Sequence, residues 1–195
     1  MLTFSQYLKS YVSLWGALAA AMGISGPFLK SFNVLAPPIE YAGGATIFIF
    51  LAMILIPYLT HQAFGLGQKA AHQVSLVFAC AAIVVVFGYC FWICPAYIYV
   101  SKPSTGQERR EIIAKESDYT DRVKAFVQTN ESNLFTRKQI IENVQLPSLT
   151  MIFTESGLLH AEALVATGYV GCILCIEGAF CFLILGESIH RRAVP

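Results

Sequence analysis

Charged residues are scarce in this sequence. They make up 13% of its 195 residues, whereas 56% are hydrophobic, and the mean hydropathy is +0.60. A soluble domain carries about 25% charged residues, because its surface faces water. Most of the charges that are present lie in one segment, between Lys102 and Glu162. The rest of the chain lacks the polar surface that a soluble fold needs, which excludes an ordinary soluble globular protein.

Motifs of catalysis and of metal or nucleotide binding are also missing. The sequence has no glycine-rich phosphate loop, no Ser/His/Asp arrangement and no carboxylate pair, and no His, Cys, Asp or Glu cluster has metal-ligand spacing. Its net charge of +1 offers no basic footprint for nucleic acid. We therefore expect a protein that is not an enzyme, needs no cofactor or metal and does not bind nucleic acid directly.

Long apolar runs, by contrast, are plentiful. A helix needs roughly 20 apolar residues to cross a hydrocarbon core about 30 Å thick, and lipid forces such a run to be helical. Four runs qualify: Ser10 to Leu29, Tyr41 to Thr60, Gln73 to Ser101 and Ala163 to Gly186. We expect the first run to be a retained span rather than a cleaved signal peptide. Proline should break the chain at the Pro37-Pro38 turn, and Pro57 should kink the second span or end it early.

These runs predict an all-α polytopic membrane protein with four transmembrane helices and a small helical polar loop domain between spans three and four. One or two short helices are expected from about Gln107 to Gln128, and another before Pro147. The predicted parts are residues 1–100 with spans one to three, the polar extramembrane segment 101–162, and residues 163–195 with the fourth span and a basic tail. The polar segment is too small to hold a large core by itself.

Four spans would place both termini on one side of the membrane. The basic tail His190-Arg191-Arg192 directly follows the fourth span and favours cytoplasmic termini. The polar segment holds more Lys and Arg residues, and counting these alone favours the opposite orientation, although long loops follow this rule poorly. We expect cytoplasmic termini, and the inverse orientation stays open.

Glu177 is the most informative single residue, because it interrupts the fourth span. A carboxylate near the middle of a span costs roughly 2.5 kcal/mol or more and usually faces a bundle interior or a cavity. One hypothesis is an intramembrane polar site: a proton or ion site, or a polar lock between subunits. The alternative is a protonated side chain that forms hydrogen bonds within the bundle, or a displaced span that brings Glu177 near an interface.

The cysteines suggest a second hypothesis. Cys172 and Cys175 have the spacing of a thiol–disulfide couple and would share one face of a helix. This pair resembles that of the vitamin K epoxide reductase family, a four-helix membrane bundle, which implies a thiol oxidoreductase. That family also needs a second pair in a loop, and the segments Lys30 to Glu40 and Lys102 to Glu162 contain no cysteine. The alternative is that both cysteines are small packing residues.

Small residues at helical spacing predict close helix contacts. Gly16 and Ala20 have this spacing in the first span, and Gly168 and Gly171 line one strip of the fourth. Such strips pack helices within one chain or between chains. We expect a homo-oligomer in contact with membrane lipid.

The order of the parts resembles small four-span membrane proteins of bacterial anti-phage defence, such as the membrane subunit of the Kiwa system. The resemblance rests on the early Leu14-Trp15, the Pro37-Pro38 turn, the short second link and the long polar loop before the last span. It implies a bacterial inner-membrane homo-oligomer that senses membrane disturbance and recruits or restrains a cytoplasmic effector. Membrane accessory proteins of CRISPR systems are similar at this level and imply a pore instead.

Three hypotheses for function therefore follow. The first is a non-enzymatic sensor or scaffold subunit with a soluble protein partner. The second is an oligomeric pore or channel that uses Glu177, and the third is a membrane thiol oxidoreductase that uses Cys172 and Cys175.

Overall fold

The computed structural model describes residues 2–23, 42–101, 109–129, 139–141 and 149–193, and most of these residues are helical. The helices are α1 (Phe4–Gly23), α2 (Ala42–Phe64), α3 (Gln68–Gly88), α4 (Cys94–Tyr97), α5 (Asp121–Thr129) and α6 (Glu155–Ala193). The strands are β1 (Ile98–Ser101) and β2 (Arg109–Ile112), and a π-helical turn at Tyr89–Ile93 joins α3 to α4. Shorter 3-10 turns lie at Glu116–Asp118 and Leu149–Met151, and residues 139–141 are helical.

Two of the helical stretches in the described residues are long and apolar enough to cross a membrane. They are Gln68–Tyr97, which joins α3, the π-helical turn and α4, and Glu155–Arg191 within α6. Leu51–Phe64 of α2 is a shorter apolar stretch. Few residues of Gln68–Tyr97 are buried. The central helix of a soluble protein, by contrast, is mostly buried. The expected spans at Gln73 to Ser101 and Ala163 to Gly186 lie largely on these two stretches.

A glycine ends α2 and sets the tight link to α3. Gly65 has a positive φ of 63°, and its backbone N–H donates to the His61 carbonyl at 2.9 Å. This left-handed conformation closes a helix and is open to glycine at little cost. Pro57 lies inside α2 and is fully buried, and the helix continues to Phe64. Of the two outcomes expected of Pro57, a kink or an early end, the early end is therefore wrong.

The chain divides into two compact units. The first unit holds α1, α2, α3 and the part of α6 from Tyr169 onward. Its core is a cluster of apolar and aromatic side chains from all four helices: Leu2, Tyr7, Tyr11, Met53, Ile54, Ala71, Cys181, Phe182, Ile184 and Leu185. Aromatic rings join α1 to α2, since Tyr58 stacks on Tyr7 with 6.0 Å between ring centroids and meets Phe4 edge-on at 5.1 Å.

Glycines of α6 receive side chains of α3 within the first unit. A Cβ atom added at Gly178 would lie 2.5 Å from the Phe78 ring, and one at Gly171 would lie 3.4 Å from Val85. At Gly186, the imidazole of His72 occupies the position that a Cβ atom would take. Residue numbers rise along α3 as they fall along α6, so the two helices run antiparallel. Missing Cβ atoms let their backbones approach closely.

The second unit runs from the π-helical turn at Tyr89 to Gly168 of α6 and contains the two-stranded sheet. Strands β1 and β2 are antiparallel, with Ile98 opposite Ile112 and Tyr99 opposite Glu111. The sequence predicts a helix from about Gln107, and this is wrong at β2. β1 carries the typical strand residues Ile98, Tyr99 and Val100, whereas Ile112 alone is of that kind in β2, so β2 forms only once the two segments meet.

The core of the second unit consists of Ile113, Ala114, Tyr119, Val123, Ile140, Ile152 and Phe153. Tyr119 and Phe153 form an isolated β-bridge, and their rings stack with 5.3 Å between centroids. The backbone N–H of Thr120 donates to the Ile152 carbonyl at 2.9 Å, which joins the start of α5 to the segment before α6. A small polar segment thus buries an apolar cluster of its own.

Helix α6 begins earlier and ends later than the predicted fourth span. The Thr154 hydroxyl accepts a hydrogen bond from the Gly157 N–H at 3.3 Å, and Glu155 lies in the first turn. A hydroxyl at this position satisfies a backbone donor that the helix cannot, and an acidic first turn suits the helix dipole. The polar ends extend the helix past the uncharged run that predicted a span.

Candidate functional site

Glu177 lies in the interior of the first unit. Its side chain is only 7% exposed, and the hydroxyl of Tyr11 on α1 donates a hydrogen bond to Glu177 Oε2 at 3.3 Å. Tyr11 is buried as well. The contact joins two helices that are 166 residues apart in sequence, so it is a tertiary feature that residue spacing does not reveal.

Two further side chains complete a polar group around this carboxyl. Cys181 follows Glu177 by one helical turn and lies beside the hydroxyls of Tyr7 and Tyr11. The Tyr7 hydroxyl is buried and has no hydrogen bond of ordinary geometry. Its neighbour is the Cys181 thiol, which is a weak acceptor. We call these four residues, Tyr7, Tyr11, Glu177 and Cys181, the Glu177 cluster.

The Glu177 cluster is suited to hold helices together rather than to turn over a substrate. Aromatic rings and aliphatic side chains of the unit's core surround it, including Tyr58 stacked on Tyr7. A buried carboxyl that accepts a hydrogen bond is stabilised in place, whereas the same group without its donor would carry its full desolvation cost. The geometry therefore supports a polar lock between α1 and α6.

A second set of polar contacts joins α3 to α6. The Ser75 hydroxyl donates to the Ala179 carbonyl at 2.7 Å. Farther along, His72 Nε2 lies 3.6 Å from Glu187 Oε1, and the last contact, from His190 Nδ1 to Gln68 Oε1, measures 3.2 Å. These contacts follow the antiparallel order of the two helices and are spread along them, so they hold the pair in register.

The cysteines form no disulfide. Cys172 is buried and Cys175 is half-buried, and the other four are Cys80, Cys90, Cys94 and Cys181. Cys172 and Cys175 lie on α6 three residues apart.

The small residues singled out in the sequence lie in different settings. Gly171 faces Val85 in the first unit, and Gly168 faces Tyr89 and Ile93 in the second, so both positions pack against the same chain. Gly16 and Ala20 lie on α1, but their surroundings are outside the described part of the structure. Among the described residues, no group of three or more His, Cys, Asp or Glu side chains is placed to hold a metal ion.

Sequence reasoning missed the partners of Glu177. Tyr7 and Tyr11 are four residues apart on α1, which places both hydroxyls on one helix face. That spacing was the available signal, but nothing in the sequence paired this face with α6. Nor does the sequence pair Cys181 with Tyr7 or Tyr11.

Comparison with known proteins gives no match. No family model, no curated protein and no solved structure is similar to this chain.

Proposed function

We propose that this protein is a non-enzymatic membrane subunit, a scaffold or sensor, that crosses the bilayer four times and presents its polar segment to a soluble protein partner. The observation that carries the proposal is the separate apolar core of the second unit, built around Tyr119 and Phe153. A loop that only connects two spans needs no such core. A folded module of this size is instead suited to present a defined surface to another protein.

Helix α5 provides the surface best suited to that partner. Val123 packs in the core of the module, whereas Phe126 on the same helix is 42% exposed. Asp121, Arg122 and Lys124 are exposed nearby on α5. An exposed aromatic ring among charges is the composition of an interface anchor, in which a ring fills a pocket and polar residues surround it.

The membrane part of the proposal rests on hydropathy and on the exposed side chains of α3. Gln68–Tyr97 and Glu155–Arg191 have the length and composition of spans, and α1 and α2 would supply the other two. With cytoplasmic termini, the polar segment would lie on the outer face of a bacterial inner membrane; the inverse orientation, which stays open, would place it beside a cytoplasmic effector. A role in anti-phage defence, as a homo-oligomer, follows from the resemblance stated above and belongs to the same proposal.

Affinity purification of the tagged full chain in mild detergent tests this proposal, followed by native mass measurement and identification of co-purifying chains. We expect a homo-oligomer that retains a soluble partner, and we expect Phe126→Asp to lose that partner while its own mass and stability stay unchanged. Ser117→Ala, an exposed change in the same unit, is the matched control and should retain the partner. Retention by Phe126→Asp would remove α5 as the interface, and a partnerless ring would contradict the scaffold.

The pore hypothesis is less well supported by the position of Glu177. In an oligomeric pore a selective carboxylate lines a path between copies, yet this one is enclosed by Tyr11 and the core of its own chain. Planar-bilayer conductance of the purified protein separates the two ideas. We expect no selective current; a current that changes in Glu177→Gln would favour the pore.

A further inference from the structure

A cleft in the first unit, apart from the Glu177 cluster, has the lining of a ligand site. It has a volume of about 190 Å³ and lies between α1 and the end of α6. Liquid water occupies about 30 Å³ per molecule, so a group of several heavy atoms fits. Ser10 and Ser13 line it from α1, and Glu187, Ser188 and Arg191 line it from α6.

The spacing of these residues places each helix's contribution on the side that faces the cleft. Ser10 and Ser13 are three residues apart, as are Ser188 and Arg191, so each pair occupies one face of its helix. The lining contains one carboxylate, one guanidinium and three hydroxyls. Its charges sum to zero, which suits a ligand that itself carries one positive and one negative group.

The unpaired hydroxyl of Ser188 is a second, independent observation that indicates a ligand site in this cleft. Its side chain is 6% exposed, and its hydroxyl is buried without a hydrogen-bond partner. A serine within a helix ordinarily bonds to the carbonyl four residues earlier or to another polar group. An unpaired buried hydroxyl costs about 1 to 3 kcal/mol. Rotation about the Cα–Cβ bond of Ser188 would let a polar ligand in the cleft satisfy it.

The position of the cleft along the helices indicates what kind of ligand it takes. Lys9 directly precedes Ser10, and Glu187 is the first charged residue after the apolar run of α6, so the cleft lies where polar and apolar sequence meet. In a bilayer this is the depth of the headgroups. On the apolar side, Leu183 lines the cleft, and the exposed Val12 lines an adjoining groove that shares Ser13.

We propose that this cleft binds phosphatidylethanolamine, a phospholipid whose headgroup joins a phosphate to a primary ammonium group. Arg191 and the hydroxyls of Ser13 and Ser188 would bind phosphate oxygens, and Glu187 would accept hydrogen bonds from the ammonium group. An acyl chain would lie over Leu183 and Val12. The proposal rests on the membrane insertion proposed above, and it goes beyond the scaffold role by naming a specific lipid.

Lipid titration of the purified full chain in detergent tests the assignment, with bound lipid counted by native mass spectrometry and stability followed by thermal unfolding. Phosphatidylethanolamine should bind about tenfold more tightly than phosphatidylcholine, because the quaternary ammonium of the latter has no N–H to donate to Glu187. Soluble phosphoethanolamine, which has no acyl chain, should bind far more weakly. Equal binding of the two lipids would overturn the headgroup assignment, and equally tight binding of phosphoethanolamine would overturn the lipid.

Three variants locate the site. Arg191→Gln should weaken binding of phosphatidylethanolamine about tenfold, and Glu187→Gln should abolish its preference over phosphatidylcholine. Ser188→Ala should be as stable as the parent or more stable without lipid, because it removes an unpaired hydroxyl, and yet it should bind the lipid less tightly. A merely structural serine would not separate these two readouts.

Arg122→Gln and Ser117→Ala are the matched controls, since they change exposed residues of the second unit. Unchanged lipid binding in both Arg191→Gln and Ser188→Ala would overturn the site. Should Ser188→Ala not fold, Ser13→Ala, an exposed position in the same cleft, replaces it. Loss of the lipid should leave the soluble partner bound through α5, so this inference and the proposed function fail separately.

Discussion

The first unit and the polar segment of the second unit distribute polar and apolar residues differently. In the first unit large apolar side chains point outward, with Val84 of α3 72% exposed, while Glu177, Ser75 and Ser188 are buried. In the polar segment of the second unit the interior is apolar around Phe153, and charged residues such as Arg122 are exposed, whereas Phe91 and Trp92 at the start of this unit are exposed like the apolar residues of the first. One chain thus contains an apolar region that buries a few polar groups and a polar segment with an apolar interior.

The difference shows what drives each unit together. Water drives Phe153 and its neighbours into a core, since burial of apolar area is favourable there. In lipid that force is absent between helices, so association depends on close packing at glycines and on hydrogen bonds between buried polar groups. The contacts of Gly171, Gly178 and Gly186 with α3 and the Tyr11–Glu177 bond are of the kind that would hold helices together in lipid.

The largest expected effect is the loss of the water-driven core. Phe153→Ala should destabilise the second unit by about 3 to 5 kcal/mol, because Phe153 is fully buried and stacks on Tyr119. Hydrogen exchange in detergent should show lost protection at residues 109–129. Met151→Ala, a change at an exposed neighbour, should retain protection. Equal protection in both variants would show that this unit does not depend on its core.

A charge on the exposed face of α3 tests the surroundings of the first unit. Val84→Arg should disfavour membrane insertion by roughly 2.5 to 3.5 kcal/mol if lipid covers this face, as measured by the fraction that resists carbonate extraction. In water the same change would cost within about 0.5 kcal/mol. Phe126→Arg on the exposed side of α5 is the matched control. An unchanged inserted fraction for Val84→Arg would show that this face lies in water, which would contradict the difference between the two units.

The glycine contacts of α6 come next. Gly178→Ala should cost about 1 to 3 kcal/mol, because the added methyl meets the Phe78 ring, which also stacks on Phe182. Thermal unfolding in detergent measures the loss. Gly67→Ala has open space around its added methyl and should change the midpoint little. Equal unfolding midpoints for Gly178→Ala and Gly67→Ala would contradict a role of the Gly178 contact in stability.

The hydrogen bond to Glu177 gives a similar or smaller effect and separates a polar lock from an ion site. Tyr11→Phe should cost about 1 to 3 kcal/mol, since it leaves a buried carboxyl without its donor. Glu177→Gln keeps an acceptor oxygen for Tyr11 and should cost less. Unfolding midpoints of the two variants test this order, and the reverse order would count against the lock.

The cysteine pair should show the smallest effect. Cys172→Ser and Cys175→Ser should leave partner binding unchanged and shift stability by no more than about 1 kcal/mol for the buried Cys172. Thiol–disulfide exchange with a model dithiol is the control assay, where we expect no activity in the parent either. Activity in the parent that both variants lose would restore the oxidoreductase hypothesis.

Hydropathy predicted the last two long helices well, because a run of more than 20 apolar residues has few alternatives to helix. It misjudged their ends. The polar turns at Thr154 and Glu155, and at Gln68, add no hydrophobic signal, so capping and packing decide those boundaries. It also misjudged Arg109–Ile112, since a strand forms only where another strand is available to pair with it.

The candidate site was half predictable. Glu177 stood out because a lone carboxylate in an apolar run is costly, and this holds whatever the fold. Its partners Tyr7, Tyr11 and Cys181 did not stand out, since tyrosines and cysteines are ordinary residues of apolar helices. The cleft at Ser188 gave no sequence signal of any kind, because a missing hydrogen bond is a property of the packed structure.

By itself the sequence determined the division of the chain into apolar runs and one polar segment, since hydropathy and charge are local properties that need no knowledge of the fold. The tertiary structure alone decided which surfaces meet: Tyr11 with Glu177, the glycines of α6 with α3, and β1 with β2. The physical reason is the distance along the sequence over which each property is decided. A run of apolar residues sets its own preference for helix and for lipid, whereas contacts between residues far apart in sequence depend on how whole elements pack.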